Sequence, residues 1–429
     1  MSSTGLILAI AAVPAVLAGF LWMSKRRVRF LAAYLAVLPF GSAIALPIGL
    51  PRAFSTVSSL LGVLVGGLYV WRWISERPGL RIPSMSVPFW VLYFAWAVAT
   101  SVWTIKARVT TNNLMVLGVL VGLFVVIVLT PITRDELREV RAWIAAGGGL
   151  TGLYALALAA SGTLTLTGAG VARFEITGAG GGEGGDPNIT AAALIMPIAV
   201  ALWEGLNPDR PRRSRIVFLA SAGLAGVAVL LTASRGGILS IVIVVLITLL
   251  SQRRGLGSMI LIGLMVLPAA LLVPATFQER VDNTGTTGRT AIWKLAIESC
   301  PEYCPIGSGF GTFADVHEVA FLETQGATGT KIRYQAHSIW FESLIEVGVL
   351  GFALLVAAIY VTVRDLWRLP VRDRQGAFAG LAALLFANTF LSNLTFKYFW
   401  LGLIYAVLVV SAVDSERTSE ARTPHQVTN

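Results

Sequence analysis

Three residues carry groups suited to chemistry on a phosphorylated substrate, and each stands where an apolar run begins or ends. Arg235 lies in Thr232-Ala233-Ser234-Arg235-Gly236-Gly237, between two apolar runs. The glycines let the chain turn and let a ligand approach the backbone. An arginine this close to a bilayer needs a partner, and a guanidinium matches a phosphate through paired N–H donors while staying charged. It reads equally as an arginine snorkelling from a helix end. Arg289, in Gly288-Arg289-Thr290-Ala291-Ile292-Trp293, precedes a stretch, 290–299, whose Trp293 and Ile297 share one side. Such a helix would lie along a membrane surface. Arg289 would then stand beside free N-terminal N–H groups suited to an anion; the plainer alternative is a solvated loop arginine. His337 opens the apolar run Ser338-Ile339-Trp340-Phe341. A helix N-terminus disfavours the imidazolium, and a neutral imidazole is a general base at physiological pH. Glu342 and Glu346 follow at i, i+4 on one helix face, where carboxylates in or near a membrane are candidates for function. The plainer reading is an interfacial histidine with water-facing glutamates.

Other polar motifs say less. Asp186-Pro187-Asn188 reads first as a turn and a helix N-cap, with a binding role secondary. Cys300 and Cys304 are the only cysteines. Outside the cytoplasm they are free to form a local disulfide, and their spacing is not that of a zinc site. The sequence has no Asp-x-Asp pair, no phosphate-binding P-loop and no dinucleotide fingerprint, which argues against a soluble nucleotide-sugar enzyme. Neither a metal nor a cofactor is expected.

The elements that hold these residues must be membrane helices. The 429 residues are 55% hydrophobic and 13% charged, against about 25% charged for a soluble domain. The net charge of +10 does not point to nucleic acid, because Lys and Arg sit in short clusters between apolar runs rather than on one face. Spans of about 20 apolar residues are expected at 5–23, 30–50, 54–74, 86–104, 114–131, 141–160, 189–206, 216–232, 236–251, 257–275, 338–363, 376–394 and 396–413. The run Gly5–Met23 lacks a basic region before it and a cleavage site after it, so it reads as a retained helix. The stretch 216–251 is two helices or a broken pair around Ser234–Gly237. The expected fold is thus all-α and integral to the membrane, with about 12–13 transmembrane helices. Helices fill 1–275, a large loop outside the cytoplasm fills 276–337, further helices fill 338–413, and a cytoplasmic tail follows at 414–429.

The clusters Lys25–Arg29, Arg72 to Arg81, Arg134 to Arg141, Arg210 to Arg215, Arg253–Arg254 and Arg364 to Arg374 mark cytoplasmic loops by the positive-inside rule. Thirteen spans put the N-terminus outside, twelve inside. The 276–337 loop holds Arg280, Arg289, Lys294, Lys331 and Arg333. A long loop escapes the rule, but these charges need their own reason.

Taken in order, several motifs are similar to the O-antigen ligase and O-antigen polymerase superfamily of bacterial membrane glycosyltransferases. They are Ser-Arg-Gly-Gly at a helix boundary, Gly-Arg-x-x-x-Trp, Pro305-Ile306-Gly307-Ser308-Gly309-Phe310-Gly311, then His337-Ser338 with Glu342, Glu346, Gly348 and Gly351. The specific part runs from about Thr232 to Gly351; the rest agrees only in being polytopic. The resemblance implies a GT-C-like fold in the bacterial inner membrane. It implies a glycan donor on polyprenyl pyrophosphate, bound by Arg235 and Arg289. His337 would be the catalytic base, with Glu342 orienting it or the acceptor. The acceptor would be lipid A–core, a lipid-linked repeat unit or a protein hydroxyl. A flippase or transporter is the alternative class. It fits the helix number, but few ionisable residues lie near the midplane of the expected spans.

Overall fold

The computed structural model describes residues 23, 26–40, 56–76, 82–166, 172–176, 185–252, 289–325, 334–392 and 394–422. These residues form an all-α integral membrane protein. The helices are α1 (Val28–Val37), α2 (Val57–Glu76), α3 (Ser86–Ala99), α4 (Ala107–Val128), α5 (Arg134–Ala160), α6 (Pro187–Leu206), α7 (Arg212–Leu231) and α8 (Arg235–Ser251), then α9 (Arg289–Glu298), α10 (Cys300–Tyr303), α11 (Phe313–Gln325), α12 (Ile339–Trp367), α13 (Val371–Asn388) and α14 (Lys397–Arg422). Two short antiparallel strands, β1 (Thr165–Leu166) and β2 (Ala172–Arg173), interrupt the helical order. Among the described residues seven helices are long and apolar enough to cross a membrane, and α1, α3 and α8 are shorter apolar helices. The expected spans 5–23 (Met23 apart) and 257–275 lie outside the described residues, as do 41–50 of the second span and 276–288 and 326–333 of the expected loop.

Packing separates helices that hydropathy alone makes alike. The most apolar stretch of α6 is 94% buried, whereas those of α2 and α7 are 22% buried. A helix apolar all round and covered all round is the bundle's centre, and α6 is flanked by α5, α7, α8 and α13. Helix α2 instead turns Val63, Trp71 and Ile74 outward, as a lipid-facing helix does. Glycines in α5 permit the tightest approaches: a Cβ on Gly147 would sit 2.1 Å from the Ala36 carbonyl oxygen, and one on Gly152 2.3 Å from the Leu224 backbone. Small residues serve this purpose at helix interfaces in membranes.

The two ends of the bundle differ in charge. At one end Glu204, closing α6, is buried and paired with Arg141 at 2.9 Å and Arg210 at 2.6 Å. Arg134 pairs with Asp373 at 2.8 Å, Arg29 with Glu139 at 2.8 Å, and Arg27 with Glu76. Arginines expected on the cytoplasmic side from sequence therefore meet at a single end. Helix α5 starts there with a capping box of Thr133 and Glu136, which satisfies two otherwise orphaned N–H groups.

At the opposite end α9, α10 and α11 form a small lobe around Ile292, Ala296, Cys304, Phe313, Val316, Ala336 and Ile345. The lobe is fastened to a break in α12. Gly348 has φ +68°, so the helical ladder stops and frees carbonyls at Ile345, Glu346 and Val347. Each finds a new donor. Ser308 N–H donates to Ile345 O at 2.9 Å and Gly309 N–H to Glu346 O at 3.0 Å. Trp96 Nε1 donates to Val347 O at 2.7 Å. Just beyond the break, Val349 N–H donates to Cys304 O at 2.8 Å. The sequence implies one continuous helix over 338–363; the structure breaks it there, because the glycine turn needs those carbonyls.

Side chains are excluded from this joint. Gly309 has φ +110°, and a Cβ would lie 2.0 Å from Thr104 Oγ1. A Cβ on Gly348 would lie 2.7 Å from the Ile306 carbonyl carbon. Gly348→Ala adds this contact to a left-handed backbone, a strain of roughly 1–3 kcal/mol. We expect its thermal unfolding in detergent to fall by several degrees; an unchanged midpoint would show that the joint does not hold the lobe.

Candidate active site at the lobe end of the bundle

Arg235 is set by the junction between α7 and α8. Thr232 closes α7, its hydroxyl donating to Val229 O at 2.6 Å. Ala233 takes φ +50°, and Ser234 caps α8 by accepting from Gly237 N–H at 3.2 Å. Buried Arg173, on β2, donates Nε to Thr232 O at 2.6 Å. Gly237 lets α8 touch α6, since a Cβ there would sit 2.6 Å from Ala191 Cβ. Ser234 and Gly237 thus have local structural reasons. Arg235 is exposed as the first residue of α8. A cation at a helix N-terminus opposes the macrodipole, so guanidinium and helix end together favour an anion.

Arg289 and His337 are brought together by a tryptophan. Arg289 is the half-buried first residue of α9. Trp293, one turn further on the same face, donates Nε1 to Ala336 O at 2.9 Å. Its ring lies 5.6 Å from that of Phe341 on α12 and 6.2 Å from that of Phe390. The start of α9 is therefore tied to the residue just before His337. His337 itself has φ +46° and precedes Ser338, the N-cap of α12. Burial, and then the charge of Arg289, push its imidazole below the ordinary value, while Asp186 pulls the other way. Burial also lowers Arg289, again opposed by Asp186. Asp186 caps α6 through Asn188 N–H at 2.7 Å. Its carboxylate thus has a second role beyond the cap legible in sequence, acting on both groups across a long chain separation.

The glutamate pair divides. Glu342 is half-buried in the first turn of α12, with its N–H donating to Ser338 O at 3.0 Å. Glu346 is buried, and its Oε1 accepts from Phe313 N–H at 3.0 Å. It secures the start of α11, a use that i, i+4 spacing does not reveal. Cys300 and Cys304 are joined as a disulfide and brace α10 against the α12 break. Trp293 is the residue whose role the sequence understates: it reads there as the apolar side of a surface helix, and its indole N–H ties α9 to the residue just before His337.

A guanidinium at a helix N-terminus can hold an anion, and a neutral imidazole tied to the start of α9 can take a proton; among the described residues no bond or ion pair joins Arg235 to Arg289 or His337. The class so defined is a multi-pass, all-helical membrane protein with two helix-terminal arginines and a half-buried histidine at one end. Residues 220–356 match the family model described as O-antigen ligase. The match covers less than half of the chain, spans Arg235, Arg289, the glycine turn and His337, and places this segment in the O-antigen ligase and polymerase superfamily. No curated protein matches the chain.

Proposed function

We propose that the protein is a glycosyltransferase of the bacterial inner membrane, moving a glycan from a polyprenyl-pyrophosphate carrier to an acceptor hydroxyl at the outer face. The observation that carries this reading is the Trp293-held pairing of Arg289 with His337 inside the O-antigen ligase segment. His337 accepts the proton of the acceptor hydroxyl. The freed oxygen bonds to the anomeric carbon as the carbon–oxygen bond to pyrophosphate breaks on the opposite face, so configuration inverts. The bonding electrons leave with the pyrophosphate, whose growing charge Arg235 and Arg289 stabilise. Two guanidiniums do here what a divalent metal does in other glycosyltransferases. Glu342, one turn into α12, orients the acceptor or His337.

Product analysis in proteoliposomes tests this. Supplied with polyprenyl-pyrophosphate oligosaccharide, a polymerase yields a ladder without further acceptor, and a ligase yields one conjugate only when its acceptor is added. Movement of the lipid between leaflets with no covalent product would overturn the reading in favour of a flippase. Geometry adds a finer prediction. Trp293→Phe keeps the ring packing but loses the bond to Ala336 O, a net contribution of about 1 kcal/mol. Transfer should fall by roughly fivefold or more while the amount of inserted protein is unchanged; full activity would mean that this bond does not set the alignment.

A further inference from the structure

Lys397, the first residue of α14, is half-buried at the lobe end of the bundle. Its Nζ donates to Ser59 Oγ at 2.7 Å and Ser58 Oγ at 3.1 Å. Both serines lie in the first turn of α2, and Thr56 Oγ1 is hydrogen-bonded to Ser59 Oγ at 2.7 Å. Among the described residues no carboxylate is paired with this ammonium. A lysine partly withdrawn from water at the edge of a span is costly without a counter-charge. Hydroxyls are neutral, and the nearby α2 N-terminus adds positive potential rather than removing it. An ammonium also has three donors, one more than the two serines use.

The cluster is linked to the candidate site through the segment between α13 and α14. The segment joining α13 to α14 carries Phe390, stacked on Trp293, and leads to Lys397, seven positions further on. Trp400 Nε1 folds it back by donating to Leu394 O at 2.8 Å. Seven residues reach at most about 25 Å. Among the described residues the hydrogen bonds of Lys397 go to Ser58 and Ser59, and none joins it to Arg289 or His337.

We infer that Lys397, with Ser58 and Ser59, is a second anion site, and that it holds a phosphate group of the acceptor. The naming of the acceptor rests on the transfer reading above. A transferase of this kind needs two substrates side by side, and its two arginines are committed to the donor. A separate cation with hydroxyls suits a phosphate on the second substrate, which makes that substrate a phosphorylated lipid. The phosphate has two possible sources: the pyrophosphate of a lipid-linked repeat unit, or the phosphorylated sugar of a lipid A-type glycolipid.

Binding decides the matter without turnover. The full-length protein is purified in a non-ionic detergent, with Arg235→Ala and Arg289→Ala combined to silence the donor site. Two probes are used, a short-chain polyprenyl-pyrophosphate disaccharide and a phosphorylated glucosamine-disaccharide lipid, each beside its phosphate-free analogue. One phosphorylated probe is expected to bind about tenfold more tightly than its analogue, as for one charge-assisted contact. That preference should vanish with Lys397→Gln, which keeps hydrogen-bonding capacity toward the serines, and return with Lys397→Arg. The probe that shows it names the phosphate's source. A preference that survives Lys397→Gln, or equal weakening of both forms, overturns the site. If the preference depends on Lys397 but the wild type makes no glycosidic product, the transfer reading and the acceptor assignment fall while the anion site stands.

Discussion

Arg289→Ala is expected to lower transfer by about 10²–10³-fold, the usual loss when one group that stabilises developing negative charge is removed. The loss should fall on kcat as well as on donor KM, because charge on the bridging oxygen grows as the bond to the anomeric carbon breaks. Arg289→Lys keeps a charge but not the two-pronged geometry, so it should recover only part of the rate. Expression and insertion should be unaffected, since the fastening of α9 comes from Trp293 and the apolar contacts of Ile292 and Ala296 rather than from the guanidinium. Arg235→Ala should behave alike. Its neighbours Ser234 and Gly237 carry the fold of the junction, and the exposed arginine does not. A well-folded Arg289→Ala protein with near-normal kcat would sink the assignment.

His337 should matter as much, by about 10²–10⁴-fold if it is the general base. Its left-handed backbone dictates the choice of variant. Asparagine tolerates that conformation better than alanine does, so His337→Asn separates loss of the base from loss of the fold. The pH dependence adds an independent readout. Burial and the charge of Arg289 lower the imidazole pKa, which favours the neutral, proton-accepting form. With the ordinary value near ~6.5, kcat/KM should therefore be level at neutral pH. Its acid limb should lie below the ordinary histidine value, falling as pH drops through the lowered pKa. Bound pyrophosphate brings negative charge to the same place, so the acid limb of kcat should lie higher than that of kcat/KM. A single protonation limb unmoved by His337→Asn would assign the base elsewhere.

Much of this architecture is legible in the chain because membrane helices must satisfy their own backbone and so announce themselves as long apolar runs. The break at Ser234, the cap at Asp186 and the short helix after Arg289 all follow from local chemistry: a capping hydroxyl, a proline at the first helical position, paired glycines. What is hidden depends on distant partners. Hydropathy cannot separate α6, covered by protein, from α2, facing lipid, since both are apolar. The spacing of Glu342 and Glu346 suggests one shared face and one role, but only the folded chain shows Glu346 accepting from Phe313 N–H. Likewise nothing near Asp186 in sequence announces that its charge acts on Arg289 and His337.

The joint at Gly348 carries a mechanical and evolutionary consequence. The lobe grips α12 through main-chain hydrogen bonds as well as apolar contacts, and the α3–α4 turn adds further grips, with Trp103 Nε1 donating to Gly307 O at 3.1 Å and Ile105 N–H to Ser308 O at 3.0 Å. Main-chain fastening is largely blind to side-chain identity. Exposed residues beside the joint, such as Val349, Leu350 and Ile306, are therefore free to vary without loss of these hydrogen bonds. The same bonds hold the lobe and the first turns of α12 together, and the Trp293 bond to Ala336 O fastens the start of α9 to the residue before His337.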